Sequence, residues 1–330
     1  MDITRLFTTH RKLLLTVFLV LLLVLVATVP LYGGPYHVSV LTFVLVYIIL
    51  ALSWAMFSGT TGYMSLAPAV FFGLGVYSMA LLQYELPFPI IMVIGGLVSF
   101  AFALLIGLVT LRLKGMYFAI FTFGLVVFMN KIIEYMETNI RGQHGWAIAP
   151  MNGTMLLYTA LGLAVATVFA IYFIRRSKYG LAMMSIGGNE EAAAHMGINT
   201  TSVKVLTFAI SAIFMGVAGV IAAPKLGYVN TNIAFATTYS FMPILMAVFG
   251  GIGTLYGPVI GAVVFAYLEL MIRNELPSRY FQLIFGCLLV LVIILLPNGI
   301  AGLMPMLQER LGRLIARLGK GGQAEQHANT

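Results

Sequence analysis

The run from Ser177 to Thr201, SKYGLAMMSIGGNEEAAAHMGINTT, holds the residues with the clearest local chemistry. Asn189 stands where its side-chain oxygen can accept a backbone N–H and cap a short helix. Glu190 and Glu191 follow in the first turn, where the helix dipole favours negative charge. Ala192, Ala193 and Ala194 are strong helix formers with small side chains, and Gly197 is placed to end the helix. The product is a short, rigid helix with a small surface, suited to sit in a cleft of another protein. The spacing alone leaves a second reading open, a capped surface helix with no partner.

Chemistry that makes or breaks bonds finds no support. No paired carboxylates, metal cluster or nucleophile–base set lies on facing apolar segments, so no catalytic residue and no metal ligand is assigned. Glu134 and Glu269 lie near segment ends, where the sequence places them close to water. Lys131 is one turn from Glu134 and spaced for an ordinary i,i+3 pair. His37 and His195 read as an interface residue and a solvated loop residue. Cys287, the single cysteine, cannot form an internal disulfide and reads as a small buried apolar group. No phosphate-cradling G-x-x-x-x-G-K-[ST] loop occurs, because Gly319-Lys320 is followed by glycine. Any nucleotide therefore sits on a separate subunit, and no cofactor is expected in this chain.

The elements that position the loop follow from composition. Of the 330 residues 61% are apolar and only 8% charged, with a mean hydropathy of +1.02. A soluble domain needs about 25% charged residues to cover its surface, so this surface faces something other than water. Backbone in lipid must bond internally, which leaves helices or closed barrels. The apolar runs lack dyad alternation and are long enough to cross, so the fold class is all-α, a polytopic transmembrane bundle. About ten segments are expected, at 13–30, 38–57, 66–83, 88–111, 116–134, 154–174, 203–223, 238–250, 255–272 and 279–297. The third and eighth read as candidates for broken or re-entrant helices. The segment after Arg11 and Lys12 is longer than a signal core and lacks a small-x-small cleavage site, so it reads as a retained first span.

Basic residues in the connections orient the bundle. With the N-terminus in the cytoplasm, 13 of the 18 Lys and Arg lie inside, so both termini are expected there. The net charge of +8 is scattered at helix ends rather than gathered on one face, which argues against nucleic acid. Residues 1–304 form the expected membrane domain, with its inner loop at 177–201. Residues 305–330 form an expected amphipathic helix and disordered tail. There Leu307, Leu311, Leu314, Ile315 and Leu318 recur at helical spacing opposite Arg310, Arg313 and Arg317. Such a helix binds anionic membrane lipids or docks on a partner. Outside, the connections at 84–87, 135–153 and 224–237 are where a soluble protein could touch.

Glycine-rich blocks mark where helices approach closely or break. Gly62, Tyr63, Ser65, Gly73, Gly75, Gly250, Gly251 and Gly253 are the candidates to line or shape a path, with plain helix packing as the alternative. Four stretches carry a resemblance: Gly59 to Tyr77, GTTGYMSLAPAVFFGLGVY; Leu113 to Thr122, LKGMYFAIFT; Gly250 to Gly261, GGIGTLYGPVIG; and Pro297 to Leu303, PNGIAGL. In this order they resemble the permease family of branched-chain amino acid importers, which shares a superfamily with ribose-type sugar permeases. Glu191-Ala192-Ala193 with Gly197 is similar to the EAA-x-x-x-G signature by which such permeases dock on their ATPase. The chain departs from the family at Tyr63, commonly Gln, and at Pro68, commonly His. Its loop IGGNEEAA is closer to the sugar-permease form.

The resemblance implies a bacterial inner-membrane permease subunit of an ATP-binding-cassette importer, not an enzyme. It implies two ATPase subunits carrying ATP and Mg, a second related permease and a periplasmic substrate-binding protein. ATP-driven closure would push on Asn189 to Gly197 and rock the spans at 154–174 and 203–223. A sugar or urea importer is the alternative within that class, and a stand-alone secondary carrier the alternative outside it. A proton-coupled carrier usually keeps ionisable groups inside its spans, and between Lys12 and Glu85 this chain has none but His37.

Overall fold

The computed structural model describes residues 25–275 except 114 and 143, together with 283–284, 286–288, 290–291 and 299–300. Most of the expected first and last spans, the closing PNGIAGL stretch up to Asn298 and the whole tail at 305–330 lie outside the described residues. A helical stretch at 25–32 is followed by α1 (Pro35–Thr61), α2 (Pro68–Leu82), α3 (Phe88–Thr110) and α4 (Met116–Tyr135). A π-helical turn, Met136–Arg141, extends α4. There follow β1 (Trp146–Ala147), α5 (Gly153–Arg176), α6 (Lys178–Gly188), α7 (Glu190–His195), α8 (Thr200–Leu226), β2 (Tyr228–Val229), α9 (Thr231–Ala234), α10 (Thr238–Gly250) and α11 (Gly257–Glu275).

Proline sits in the first turn of α1, α2 and α3, where its missing N–H costs no helical bond. Among the described residues six helical stretches are long and apolar enough to cross a membrane, and Pro68–Leu82 and Gly257–Ile272 are shorter apolar helices. This is a multi-pass helical membrane protein. The apolar windows of α1 and α8 are 78% and 72% buried, against 33% for α3 and 28% for the α4 stretch and α5. The first two are therefore the axis of the bundle, and the others wrap it. Phe57 on α1, Phe71 on α2, Phe118 on α4 and Phe208 on α8 lock that axis, with Phe208 5.1 Å from Phe57 and 5.3 Å from Phe71 between ring centroids.

The third expected segment is partly extended. Residues 62–67 are non-helical and lead into α2, whose 15 residues span only about 22 Å at 1.5 Å each. Burial alternates along 62–67, with Tyr63, Ser65 and Ala67 buried and Gly62 and Met64 exposed, between a left-handed Gly62 (φ +74°) and a turn-like Ala67 (φ −91°, ψ 2°). Irregular backbone survives at membrane depth only where protein satisfies it. Here Trp54 donates to the Ser65 carbonyl (2.8 Å), and Ser240 donates to the Leu66 carbonyl (2.8 Å). The Leu66 N–H donates to the Thr122 hydroxyl (2.9 Å). The eighth expected segment, 238–250, is the single uninterrupted helix α10, with Pro243 inside it; the break at 235–237 between α9 and α10 lies in the connection before it.

At one end of the bundle β1 pairs antiparallel with β2, Trp146 opposite Val229. Gln83 clamps the same strand region by donating to the Ala147 carbonyl (2.9 Å) and accepting from the Ala149 N–H (2.8 Å). The three connections expected on one side thus meet there. Two expectations are corrected. Glu269, placed near water by the sequence, is fully buried, because it falls on the packed face of α11 beside Phe265 and Ala266. Cys287, expected to be buried, is exposed. The Lys131–Glu134 pair forms at 2.7 Å.

Candidate functional site

At the opposite end, three consecutive side-chain caps shape the loop between α5 and α8. Ser177 accepts from the Gly180 N–H and starts α6, Asn189 accepts from the Ala192 N–H (3.0 Å) and starts α7, and Asn199 accepts from the Ser202 N–H (3.1 Å) and starts α8. Each cap satisfies a donor that the new helix would otherwise leave orphaned. Helix α7 closes as the glycine predicts. Gly197 has φ +84°, its N–H reaches the Ala194 carbonyl (3.0 Å), and the Ile198 N–H reaches the Ala193 carbonyl (3.2 Å). That is the paired bonding of a Schellman stop, which needs a left-handed residue. Asn189, Glu190, Glu191, Ala192, Ala193 and Gly197 therefore lie on one capped helix.

The alanines divide their work. Ala193 is fully buried in a small cluster with Met183, Ile186 and Val203, so it packs against its own chain instead of offering surface. Ala192 and Ala194 are exposed, and so are Glu191, His195, Met196, Tyr179, Leu181 and Met184. The loop presents an apolar patch with a rim of polar groups. Behind it, α6 presses on the end of α1, where a Cβ on Gly187 would lie 2.4 Å from the Thr60 carbonyl oxygen.

Glu190 turns inward and meets two residues that sequence reasoning did not connect. Lys204, on the first turn of α8, is 2% exposed and contacts Glu190 Oε1 at 2.6 Å. Its ammonium also donates to the Tyr63 hydroxyl (3.1 Å) and the Leu111 carbonyl (3.1 Å), so all three ammonium donors have partners. The same ammonium lies 4.3 Å from the Tyr63 ring centroid, within cation–π range. Tyr63 in turn donates to Glu190 Oε2. Burial opposes ionisation of Glu190, but hydrogen bonds from Lys204 and Tyr63, the Lys204 charge and Thr200 outweigh it and hold the carboxyl below its ordinary value. The arrangement is a charged anchor that ties α7 to α8, to the end of α3 and to the extended segment.

The remaining candidates are dispersed. Gly62 caps α1 with φ +74°, and Ser65 holds the extended segment by accepting from the Ala67 N–H (3.3 Å). Gly73 faces the Phe235 ring, Gly75 meets the Gly216 carbonyl of α8, and Gly250 meets Gly257 and Gly261 at the start of α11. Gly251 and Gly253 lie in the turn after α10, where the Gly253 carbonyl accepts from Arg175 (3.5 Å). A cavity of about 380 Å³ near the other end is lined by Leu74, Tyr77, Ile133, Glu137 and Trp146 among others; none of the eight path candidates lines it. Among the described residues no group of three His, Cys, Asp or Glu could hold a metal ion. One signal for the anchor was present in the sequence: Lys204 is a charge set among the apolar residues Val203, Val205 and Leu206.

The family described as branched-chain amino acid transport system, permease component, matches residues 36–293. The high-affinity branched-chain amino acid transport system permease protein LivM of Salmonella typhimurium is 30% identical, covering 93% of this chain and 79% of its own length. LivH of Escherichia coli, a permease protein of the same kind of system, is 32% identical over 47% of this chain and 49% of its own. The xylose transport system permease protein XylH of Haemophilus influenzae is 27% identical over 41% of this chain and 38% of its own. No solved structure matches.

Proposed function

The chain belongs to the permease-component family of branched-chain amino acid transport systems, and from that premise we propose that it forms half of the translocation path of an ATP-driven importer. It is a transport subunit and not an enzyme. The supporting observation is the likeness to LivM over 93% of the chain, which takes in the capped loop as well as the membrane core. Its solute is a branched-chain or related amino acid. Its partners are a second related permease, two ATPase subunits and a periplasmic substrate-binding protein, and its site is the bacterial inner membrane with both termini in the cytoplasm. About ten segments cross or enter that membrane.

In this reading α7 is the contact with the ATPase. Glu191, Ala192 and the Gly197 end lie toward the partner, and the exposed Tyr179, Leu181, Met184 and Met196 widen the seat. ATP and Mg stay on the ATPase. The glycine-bounded segments around Gly62 to Ser65, Gly73, Gly75 and Gly250 to Gly253 shape the moving parts of the path.

The test is uptake into proteoliposomes by the complete complex, assembled with a second permease, ATPase subunits and a binding protein of the same family of systems. Leucine, isoleucine or valine accumulates only with ATP inside and binding protein outside. The partial likeness to XylH favours one second reading, a pentose permease; ATP-driven uptake of xylose with no uptake of leucine would establish it. Uptake of any of these by this chain alone, driven by an ion gradient, would discard both.

A further inference from the structure

We propose that Lys204 and Tyr63 are positioning residues through which α7 moves the extended segment 62–67, so that coupling reaches the path by this segment and not only by the two flanking spans. The inference rests on reading α7 as the ATPase contact. Its physical core is the burial of a charge. Lys204 is 2% exposed, and separating a buried ammonium from its carboxylate leaves an uncompensated charge in a poor solvent. Helix α7 therefore cannot shift while Lys204 and Tyr63 stay behind. The three move as one body, or the anchor breaks.

What Tyr63 is attached to makes the route specific. Residues 62–67 have no helix ladder to hold them. Ser58 accepts from the Ser65 N–H (3.3 Å), Thr122 on α4 from the Leu66 N–H (2.9 Å), and Ser240 on α10 donates to the Leu66 carbonyl (2.8 Å) while accepting from the Ala69 N–H (3.2 Å). Side-chain hydroxyls rotate and exchange partners, whereas a helix ladder resists sliding. A displacement of Tyr63 is thus passed to α4 and to α10 by trading hydroxyl bonds.

The experiment uses the complete complex in proteoliposomes, with Cys287→Ser as the parent and Met64→Cys as a reporter on the exposed face of the segment. In the parent, ATP changes the rate at which a water-soluble maleimide labels Met64→Cys. In Lys204→Met that ATP-dependent change disappears, the ATPase still co-purifies, ATP hydrolysis continues, and solute moved per ATP falls about tenfold. Tyr63→Phe keeps the ring and its cation–π contact and removes only the hydroxyl; it shows a smaller fall in the same ratio and covers the case in which Lys204→Met does not fold. Transport and hydrolysis declining in proportion in both variants would mark a merely structural role and overturn the proposal. So would a labelling change that survives in Lys204→Met. If the parent itself shows no ATP-driven uptake, it is the importer reading that fails, and not this route.

Discussion

The Glu190–Lys204 pair is lopsided, and the asymmetry can be measured. Lys204 is 2% exposed and the Glu190 side chain 21%, so Glu190 can regain water when its partner is lost and Lys204 cannot. Glu190→Ala leaves the ammonium buried without its carboxylate and is expected to cost about 3–5 kcal/mol. Lys204→Met removes the buried charge together with its desolvation penalty and should cost less. Melting midpoints of the purified variants should fall in that order; the reverse order would mean that Lys204 is solvated. Acid acts on the same pair. The folded carboxyl titrates below its ordinary value of 4.5, so its stabilisation is complete above that value and is lost as pH falls through the lowered one. The gap in melting midpoint between the native chain and Glu190→Gln should therefore hold at neutral pH and close as pH drops below 4.5. Asn189 and Gly197 were legible in the sequence because caps and stops are local. The partners of Glu190 were not, because Tyr63 is 127 residues away and only tertiary packing brings it there.

At the scale of elements, α2, α3 and α8 cross backbone to backbone. A Cβ on Gly75 would lie 1.8 Å from the Gly216 carbonyl oxygen, and one on Gly216 would lie 2.1 Å from Ser99 Oγ and 2.7 Å from the Gly95 carbonyl oxygen. Small residues allow such approach, and dispersion between the closely packed helices then holds them, since lipid supplies no hydrophobic drive between spans. Gly75→Val should abolish the monodisperse peak in size-exclusion chromatography of solubilised membranes. Gly124→Ala and Gly162→Ala, where an added Cβ meets nothing within 4 Å, should leave it intact and can stabilise by up to about 1 kcal/mol through helix propensity. A normal peak for Gly75→Val would show that the helices stand further apart. The openings of α2 and α3 were readable near Pro68 and Pro89, whereas α1 runs 35–61 and not the expected 38–57, its limits at Pro35 and Gly62 having been missed. The extended run 62–67 was readable only as a glycine-marked break. The hydroxyls that make it tenable, on Thr122 and Ser240, lie 56 and 174 residues from Leu66 and carry no local signature.

For the whole molecule, the question is what a zwitterion would meet on its way through. Three charged side chains of the described residues are buried: Glu137, Lys204 and Glu269. Lys204 has all three donors engaged, and Glu137 Oε1 accepts from Tyr77 and Trp146, each at 3.1 Å. A buried charge already satisfied at home offers little to a passing ammonium or carboxylate, because the exchange would leave its present partners unpaired. In the importer reading, such a path would release its solute readily and rely on another protein to select and concentrate it. A permease that need not hold its solute can pass it on without a deep well to climb from, and ATP then supplies direction instead of affinity. The chain purified without its partners should therefore show no calorimetric heat for leucine at micromolar concentration, and liposomes carrying it alone should never hold more leucine inside than outside. Adding the ATPase, the second permease and the binding protein should produce accumulation without any change in this chain's own residues. A micromolar titration of the isolated chain would place selectivity inside the bundle after all, and the cavity beside Glu137 would be the first place to look for it.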